Sequence, residues 1–239
     1  MSLCINNDLI WVSIPRCASF SIERSLSNSK LDISYYKKSM YFDKDIHLHI
    51  QTKTLYDYFG LKKTVCIKRN FVDRWLSGLE HWWFEMGIRN IEPIISFEEI
   101  DNNFIYKNFT DSLIDKIYQF EPLYVGINSN IDNEYMDLRN ELNGLFSIKK
   151  NEKLETFLPM LVISQQFWTN GKNCTYEFDF ENITLFEQFI SDRYNTEFKL
   201  EHLNKNKKIK SKIIKDSKLE NWIWDKFEKR FINNVNKII

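Results

Sequence analysis

Glycine and proline are scarce in this chain of 239 residues, which contains only 6 and 4 of them. Flexible linkers between domains are rich in these residues, and no stretch of the sequence has that composition. No internal repeat is apparent either. We therefore expect residues 1–239 to form one domain, and this length allows a sizeable hydrophobic core.

Cysteine is also rare. The sequence has four cysteines, and their spacing is neither that of a disulfide framework nor that of metal ligands: Cys4, Cys17, Cys66 and Cys174. We expect no bound metal and a reducing compartment. A secretory signal and a stretch long and apolar enough for a membrane span are both absent, so we expect a cytoplasmic protein without a membrane partner.

The chain has no net charge, because 33 Lys and Arg balance 33 Asp and Glu, but the charge is unevenly distributed. Residues 199–239 hold 12 Lys and Arg against 5 Asp and Glu. A basic segment of this kind is compatible with a solvated face, with contacts to a nucleotide or an anionic acceptor, or with nucleic acid. No nucleic-acid-binding motif is recognisable, so we expect no nucleic-acid partner.

The sequence does contain a short apolar strand, residues 9–14, that runs into a loop of small residues. Small side chains leave the backbone N–H groups uncovered, and the next helix directs the positive end of its dipole at them. Arg16 adds a full charge. The pattern predicts an anion site at Pro15, Arg16, Cys17, Ala18, Ser19, Phe20 and Ser21. An ordinary turn with Ser21 as the helix N-cap is the alternative.

A second strand, residues 64–68, leads into an amphipathic helix that begins near residue 71. Arg69 follows this strand directly, and open α/β sheets bind ligands at the carboxyl ends of their strands. Ser77 lies two turns along the helix. The two side chains are placed to bind one phosphate. Alternatively, Arg69 pairs on the surface with Asp73 or Glu80, and Ser77 is solvated.

Together these segments resemble the PAPS-dependent sulfotransferases, especially the carbohydrate branch with the uronyl 2-O-sulfotransferases. In that family the first loop binds the 5′-phosphosulfate of 3′-phosphoadenosine 5′-phosphosulfate (PAPS). The resemblance gives this role to residues 15–21 and gives the binding of the 3′-phosphate to Arg69 and Ser77. Two positions depart from the family pattern, since Arg16 replaces the usual lysine and Phe71 the usual proline.

Weaker similarities concern the catalytic base. His47-Leu48-His49 resembles the His-x-His stretch of the family, in which the second histidine is the proposed base. The resemblance therefore implies that Arg16 and His49 are the catalytic residues. Neutral imidazole can accept a proton from an acceptor hydroxyl near pH 7. His47, Glu80 and His81 remain alternative bases.

Further similarities extend towards the C-terminus. Residues 165–167 and 175–183 resemble the Gln-rich helix and a later strand end of the family. His202-Leu203-Asn204, followed by Lys205, resembles the loop that closes over the nucleotide, so Asn204 and Lys205 are expected to contact PAPS. The basic segment 199–239 is then a candidate cover for the nucleotide.

Strand and helix patterns agree with this fold. Strands are predicted over residues 9–14, 64–68, 123–127 and 175–180. Helices are predicted over 20–28, 52–59 and 71–85, within 96–120, near 131–142 and 153–168, and over 184–193 and 217–237. The alternation indicates an α/β fold with a P-loop-like parallel sheet flanked by helices on both faces, as in sulfotransferases.

The resemblance implies transfer of a sulfuryl group from PAPS to a hydroxyl, with a glycan as the favoured acceptor and adenosine 3′,5′-bisphosphate (PAP) as the product. Trp82-Trp83-Phe84 either stacks on sugars or belongs to the core. Two other functions remain open. A P-loop kinase is one, although Gly-x-x-x-x-Gly-Lys-Ser/Thr is absent, and a nucleotide-binding protein without turnover is the other.

Overall fold

The computed structural model describes residues 2–36, 51–88, 95–119, 162–201, 211–229 and 231. These residues form two compact units that alternate along the sequence. The sheet unit contains the described residues up to Asn70 and from Gln165 to Glu201, and the helical unit contains those from Phe71 to Ser164 and from 211 onward. The assignment of residues 1–239 to one sulfotransferase domain stays a prediction.

The elements of both units follow one another in a mixed order. In chain order they are β1 (Leu3–Ile5), β2 (Leu9–Trp11), α1 (Ser19–Ser27), β3 (Ile33–Tyr35), α2 (Thr52–Phe59), β4 (Lys63–Lys68), α3 (Phe71–Ile88), α4 (Asn102–Asn108), α5 (Asp111–Gln119), α6 (Gln165–Trp168), β5 (Tyr176–Asp179), α7 (Ile183–Tyr194) and α8 (Ser217–Ile223). Short 3₁₀-helices precede α4 and α7, at Phe97–Glu99 and Phe180–Asn182, and a π-helical turn, Trp224–Glu228, continues α8.

The sheet has five strands in the order β3-β1-β2-β4-β5. β2 pairs in parallel with β4, and β4 pairs in parallel with β5. β1 is antiparallel to both of its neighbours, β2 and β3, so it alone of the five runs in the opposite direction. The predicted α/β class is confirmed, but the sheet is mixed and not parallel throughout.

A tight hairpin explains the reversed strand. Asn6 and Asn7 both have left-handed backbone angles, with φ of 47° and 52°, and the N–H of Asp8 donates to the carbonyl of Ile5 at 2.9 Å. Two consecutive residues with positive φ form the turn whose twist matches that of a β-hairpin, and asparagine tolerates this conformation better than other residues with a side chain. Neither β1 nor β3 is among the predicted strands, because each has only three residues.

The other elements of the sheet unit follow the sequence pattern. The predicted helices over 20–28, 52–59 and 184–193 are confirmed as α1, α2 and α7, within one residue at each end. The predicted strands over 64–68 and 175–180 are confirmed as β4 and β5. β2 is shorter than the predicted 9–14, although the N–H of Val12 still donates to the carbonyl of Val65 at 2.9 Å.

An aromatic core holds the helical unit together. Trp75 of α3 is buried, and its ring centroid lies 5.3 Å from that of Phe109 and 5.6 Å from that of Phe227. Edge-to-face pairs of this kind add to the stabilisation that burial provides. Trp82 and Trp83 are also buried, and the indole N–H of Trp83 donates to the carbonyl of Ile95 at 3.0 Å. These two rings therefore belong to the core and are not sugar-stacking surfaces, whereas Phe84 is exposed.

The remaining predicted elements belong largely to the helical unit. α3 confirms the helix predicted over 71–85, and α4 and α5 confirm helical segments within 96–120. The predicted strand 123–127 and helix 131–142 lie outside the described residues, and α6 lies at the end of the predicted 153–168. The predicted helix 217–237 begins as α8, where the carboxylate of Asp216 accepts from the N–H of Leu219 at 2.8 Å.

Candidate anion site

The sheet order places a topological switch point between the ends of β2 and β4. The chain passes from β2 through α1 to β3, which lies beyond β1, whereas β5 lies on the opposite side of β4. The direction of the connections thus reverses between β2 and β4. Open α/β sheets bind ligands outside the carboxyl ends of their strands at such a point. The loop that follows β2 and Arg69, which follows β4, both lie at this edge.

The loop after β2 has an unusual backbone. Arg16 and Ala18 have φ of 66° and 58°, while Cys17 between them does not have a positive φ. Backbone of alternating hand is typical of anion-binding nests, in which neighbouring N–H groups converge on one point. The left-handed conformation costs roughly 1–2 kcal/mol for a residue with a β-carbon. Such conformations cluster at functional sites, where the surrounding structure maintains them.

Helix α1 begins inside this loop. Ala18 is the N-cap, it forms no side-chain capping bond, and the first helical bond joins the N–H of Ile22 to the carbonyl of Ala18 at 3.0 Å. The N–H groups of Ser19, Phe20 and Ser21 therefore have no acceptor within the helix. These donors and the helix dipole favour an anion at the same point.

Two details of the loop concern its turn and the start of the helix. The alternative in which Ser21 is the N-cap is wrong, because Ser21 lies within the first turn of α1. The N–H of Cys17 donates to the carbonyl of Ile14 at 3.3 Å and closes a turn that contains Pro15 and Arg16. The N–H groups that the start of α1 leaves without an acceptor within the helix come after Cys17, and the role of Cys17 in binding an anion stays a prediction.

Arg69 is fixed at the end of β4 by its backbone. Its N–H donates to Oε1 of Gln165 at 3.3 Å, and its carbonyl accepts from Nε2 of Gln165 at 2.9 Å. The amide of Gln165 thus satisfies both backbone groups of the residue that directly follows β4. Gln165 is missing from the predicted site residues, although the Gln-rich stretch 165–167 belongs to the resemblance.

The side chain of Arg69 packs on an aromatic ring. Its guanidinium carbon lies 4.8 Å from the ring centroid of Phe180. The register explains this contact. Lys68 and Asp179, the last residues of β4 and β5, pair with each other, so Arg69 and Phe180 follow side by side. Nε of Arg69 is buried and has no hydrogen-bond partner among the described residues. A buried donor without an acceptor is costly, and a bound anion would satisfy it.

The other predicted site residues lie either in the helical unit or outside the described residues. Ser77, Glu80 and His81 belong to α3 in the helical unit, where each is partly buried. Asp73, one alternative partner of Arg69, forms an ion pair with Lys215. Four residues lie outside the described ones, so their roles stay predictions: His47, His49, Asn204 and Lys205.

We predict that Gln165→Ala lowers the free energy of unfolding by about 1–3 kcal/mol, because it leaves the N–H and carbonyl of Arg69 without their partner. Urea denaturation would measure this effect. Gln188→Ala, the same substitution at an exposed position of α7, is the control. Equal effects of the two substitutions would contradict a supporting role for Gln165.

Within the described residues, no helix is both long and apolar enough to cross a lipid bilayer. Comparisons with protein-family models, with curated proteins and with solved structures find no match. A functional assignment therefore depends on the geometry of the anion site and on the sequence motifs.

Proposed function

We propose that the protein is a PAPS-dependent sulfotransferase that transfers a sulfuryl group to a hydroxyl, with a carbohydrate as the favoured acceptor. The proposal includes a P-loop-like sulfotransferase fold. The observation that supports it is that two elements suited to binding an anion follow the carboxyl ends of neighbouring parallel strands. These are the nest at Arg16 and Ala18 with the uncapped start of α1, and Arg69 with its buried, unpartnered Nε. A nucleotide with phosphates at its 5′ and 3′ positions requires two such elements.

In the proposed chemistry, the loop after β2 stabilises the leaving group of PAPS. Sulfuryl transfer breaks the bond between sulfur and the bridging oxygen of PAPS, and it forms a bond between sulfur and the acceptor oxygen. Negative charge develops on the bridging oxygen as this bond breaks. The N–H groups of Ser19, Phe20 and Ser21 and the guanidinium of Arg16 are suited to stabilise that charge, since fixed donors need no reorganisation during the reaction. The proton of the acceptor hydroxyl passes to a base, which the resemblance assigns to His49.

The proposed role of Arg69 is to bind the 3′-phosphate. The guanidinium packs on the ring of Phe180, and the backbone of Arg69 is held by its bonds to Gln165. A positioned guanidinium forms strong, charge-assisted hydrogen bonds with phosphate. Ser77 is assigned to the same phosphate by the motif alone.

We expect the protein to bind PAP much more tightly than adenosine 5′-monophosphate. Arg69→Ala is expected to weaken PAP binding by at least about 2 kcal/mol, or about 30-fold, because the 3′-phosphate loses its arginine. The affinity for the monophosphate should change little. Calorimetry with both ligands measures this difference.

Arg24→Ala is the matched control for this experiment. Arg24 is an exposed arginine of α1 that pairs with Glu201 at 3.1 Å, and it has no assigned role in binding. An Arg69→Ala variant with unchanged affinity for PAP would refute the assignment of the 3′-phosphate to Arg69.

Turnover distinguishes an enzyme from a binding protein. Incubation with labelled PAPS and a panel of sugars, simple alcohols and tyrosine should yield a labelled acceptor and an equal amount of PAP. If the protein bound PAP tightly but formed no PAP from PAPS with any acceptor, it would be a nucleotide-binding protein without turnover. Transfer of phosphate from ATP would instead indicate a kinase.

A further inference from the structure

Two cysteines that are far apart in sequence lie side by side in the sheet unit. Cys66 is in the middle of β4, and Cys174 lies two residues before β5. Their sulfur atoms and a carboxylate oxygen of Glu177 lie within 4.8 Å of one another. Both cysteines are buried, with exposed fractions of 0% and 7%. The parallel pairing of β4 with β5, in which Cys66 faces Glu177, creates this contact.

Hydrogen bonds hold the segment of Cys174 against β4. The N–H of Thr64 donates to Oγ1 of Thr175 at 3.1 Å, and the N–H of Thr175 donates to Oγ1 of Thr64 at the same distance. The N–H of Cys174 donates to Oε1 of Glu177 at 2.8 Å. The two sulfur atoms are thus kept close by bonds that do not involve the thiols themselves.

The two thiols differ in their chemistry. A hydrogen bond from the thiol of Cys66 lowers the pKa of Cys174, and the hydroxyl of Thr64 contributes in the same direction. The same hydrogen bond, together with burial, raises the pKa of Cys66. The thiolate is the reactive form of cysteine, so Cys174 is the nucleophile of the pair. It also follows the exposed residues 171–173, which gives a small reagent the shorter path to its sulfur.

The surroundings favour a thiol pair over a metal site. Both carboxylate oxygens of Glu177 already accept hydrogen bonds, one from the N–H of Cys174 and the other from the ammonium of Lys68 at 2.7 Å. That ammonium opposes a divalent cation at the same place. A structural zinc site has four ligands, whereas this group offers three among the described residues.

We propose that Cys174 and Cys66 are a redox-active pair that forms a reversible disulfide when the protein meets a hydroperoxide. The thiolate of Cys174 attacks the terminal peroxide oxygen, the O–O bond breaks, and Cys174 becomes a sulfenic acid. The other oxygen leaves as hydroxide or alkoxide and takes a proton from solvent to give water or an alcohol. The thiol of Cys66 then attacks the sulfenic sulfur, and its proton leaves with the hydroxyl as water. Two thiols lose two electrons in total, and these reduce the peroxide.

The consequence of oxidation should be local. Cys66 is fixed between Val65 and Ile67, which pair with Tyr176 and Phe178 of β5. Cys174 lies outside the strand, so formation of the S–S bond requires the movement of Cys174 and its neighbours. In the reduced protein the N–H of Cys174 donates to the carboxylate of Glu177. We expect oxidation to alter the protection of this N–H from hydrogen exchange.

The test treats the reduced, full chain with one equivalent of hydrogen peroxide and locates the cross-link by peptide mapping. We expect a Cys66–Cys174 disulfide, the loss of two hydrogen atoms from the intact mass, and full reversal by a thiol reductant. Cys4→Ser, which changes a buried cysteine of β1, is the control and should behave like the wild type. Cys66→Ala should give no cross-link, and its Cys174 should be trapped by a sulfenic acid reagent.

Two results would overturn the proposal. One is the absence of a Cys66–Cys174 cross-link in folded wild-type protein under conditions in which the urea-unfolded chain does form disulfides. The other is a purified chain that retains stoichiometric zinc and loses it with Cys174→Ser, since the thiols would then be metal ligands. Both results come from the wild type or from a substitution outside the strands, so they do not depend on the folding of Cys66→Ala.

Discussion

The His49→Ala variant is expected to lose acceptor-dependent sulfuryl transfer by roughly 10²–10⁴-fold, the usual contribution of a general base. Its affinity for PAP should not change, because the base acts on the acceptor hydroxyl and not on the nucleotide. Steady-state kinetics with saturating PAPS would measure the first effect, and calorimetry with PAP would measure the second. A packing defect would reduce activity only a few-fold and would lower the thermal stability.

Three further variants complete this experiment. His47→Ala removes the same side chain two residues away and tests the other histidine of the pair, which is itself an alternative base. Glu80→Ala and His81→Ala test the alternative bases on α3, where the ring centroid of His81 lies 6.4 Å from that of Phe84. If folded His49→Ala retained near-normal turnover while one of the α3 variants did not, the base would lie on α3 and the alignment of the histidine pair would be wrong.

The Arg16→Ala variant is expected to lower kcat about 10²–10³-fold, as the loss of one charge-stabilising donor does in other enzymes. The affinity for PAP should fall much less, because the N–H groups of Ser19, Phe20 and Ser21 remain. Charge develops on the bridging oxygen mainly in the transition state, so the loss appears in kcat. Alanine is the appropriate replacement at φ 66°, since glycine would also remove the backbone strain.

Arg16→Lys tests the charge itself. The resembled family usually has lysine at this position, so this variant should keep much of the turnover. Arg24→Ala again serves as the control for the loss of an arginine from the same region. Suppose instead that Arg16→Ala abolished PAP binding but left the turnover per bound nucleotide unchanged. Arg16 would then position the nucleotide and would not stabilise the transition state.

Local sequence patterns were sufficient to predict most of the described elements. α2 has the predicted bounds because apolar and aromatic residues at helical spacing are followed by Gly60, which ends the helix. β4 was predicted from the three consecutive apolar residues at its centre, Val65, Cys66 and Ile67. β1 and β3 were beyond the reach of these patterns, because a three-residue strand has too few positions to show a period. The Asn6-Asn7 pair was a usable hairpin signal for β1.

The geometry of the candidate anion site could be predicted only in part, since it depends on contacts that are distant in sequence. Small residues indicated the loop after β2, but left-handed angles at Arg16 and Ala18 do not follow from a sequence without glycine there. The ring under Arg69 and the partner of Cys66 both depend on the register between β4 and β5, in which Val65 pairs with Tyr176. Hydrophobic patterns cannot give that register across such a distance.

The wide separation of these pairings has a consequence for folding. The β1-β2 hairpin joins neighbouring residues, whereas Trp11 pairs with Val65 and Lys68 with Asp179. Contacts between distant segments form slowly, because loop closure opposes them until the partners meet. A partly folded chain that retains only the hairpin would therefore lack the pairing of β2 with β4 that brings the loop after β2 and Arg69 to one edge of the sheet. If the protein binds PAP as proposed, binding would report completed assembly of the sheet, and PAP at a hundredfold excess over its Kd would stabilise that state by about 2.7 kcal/mol.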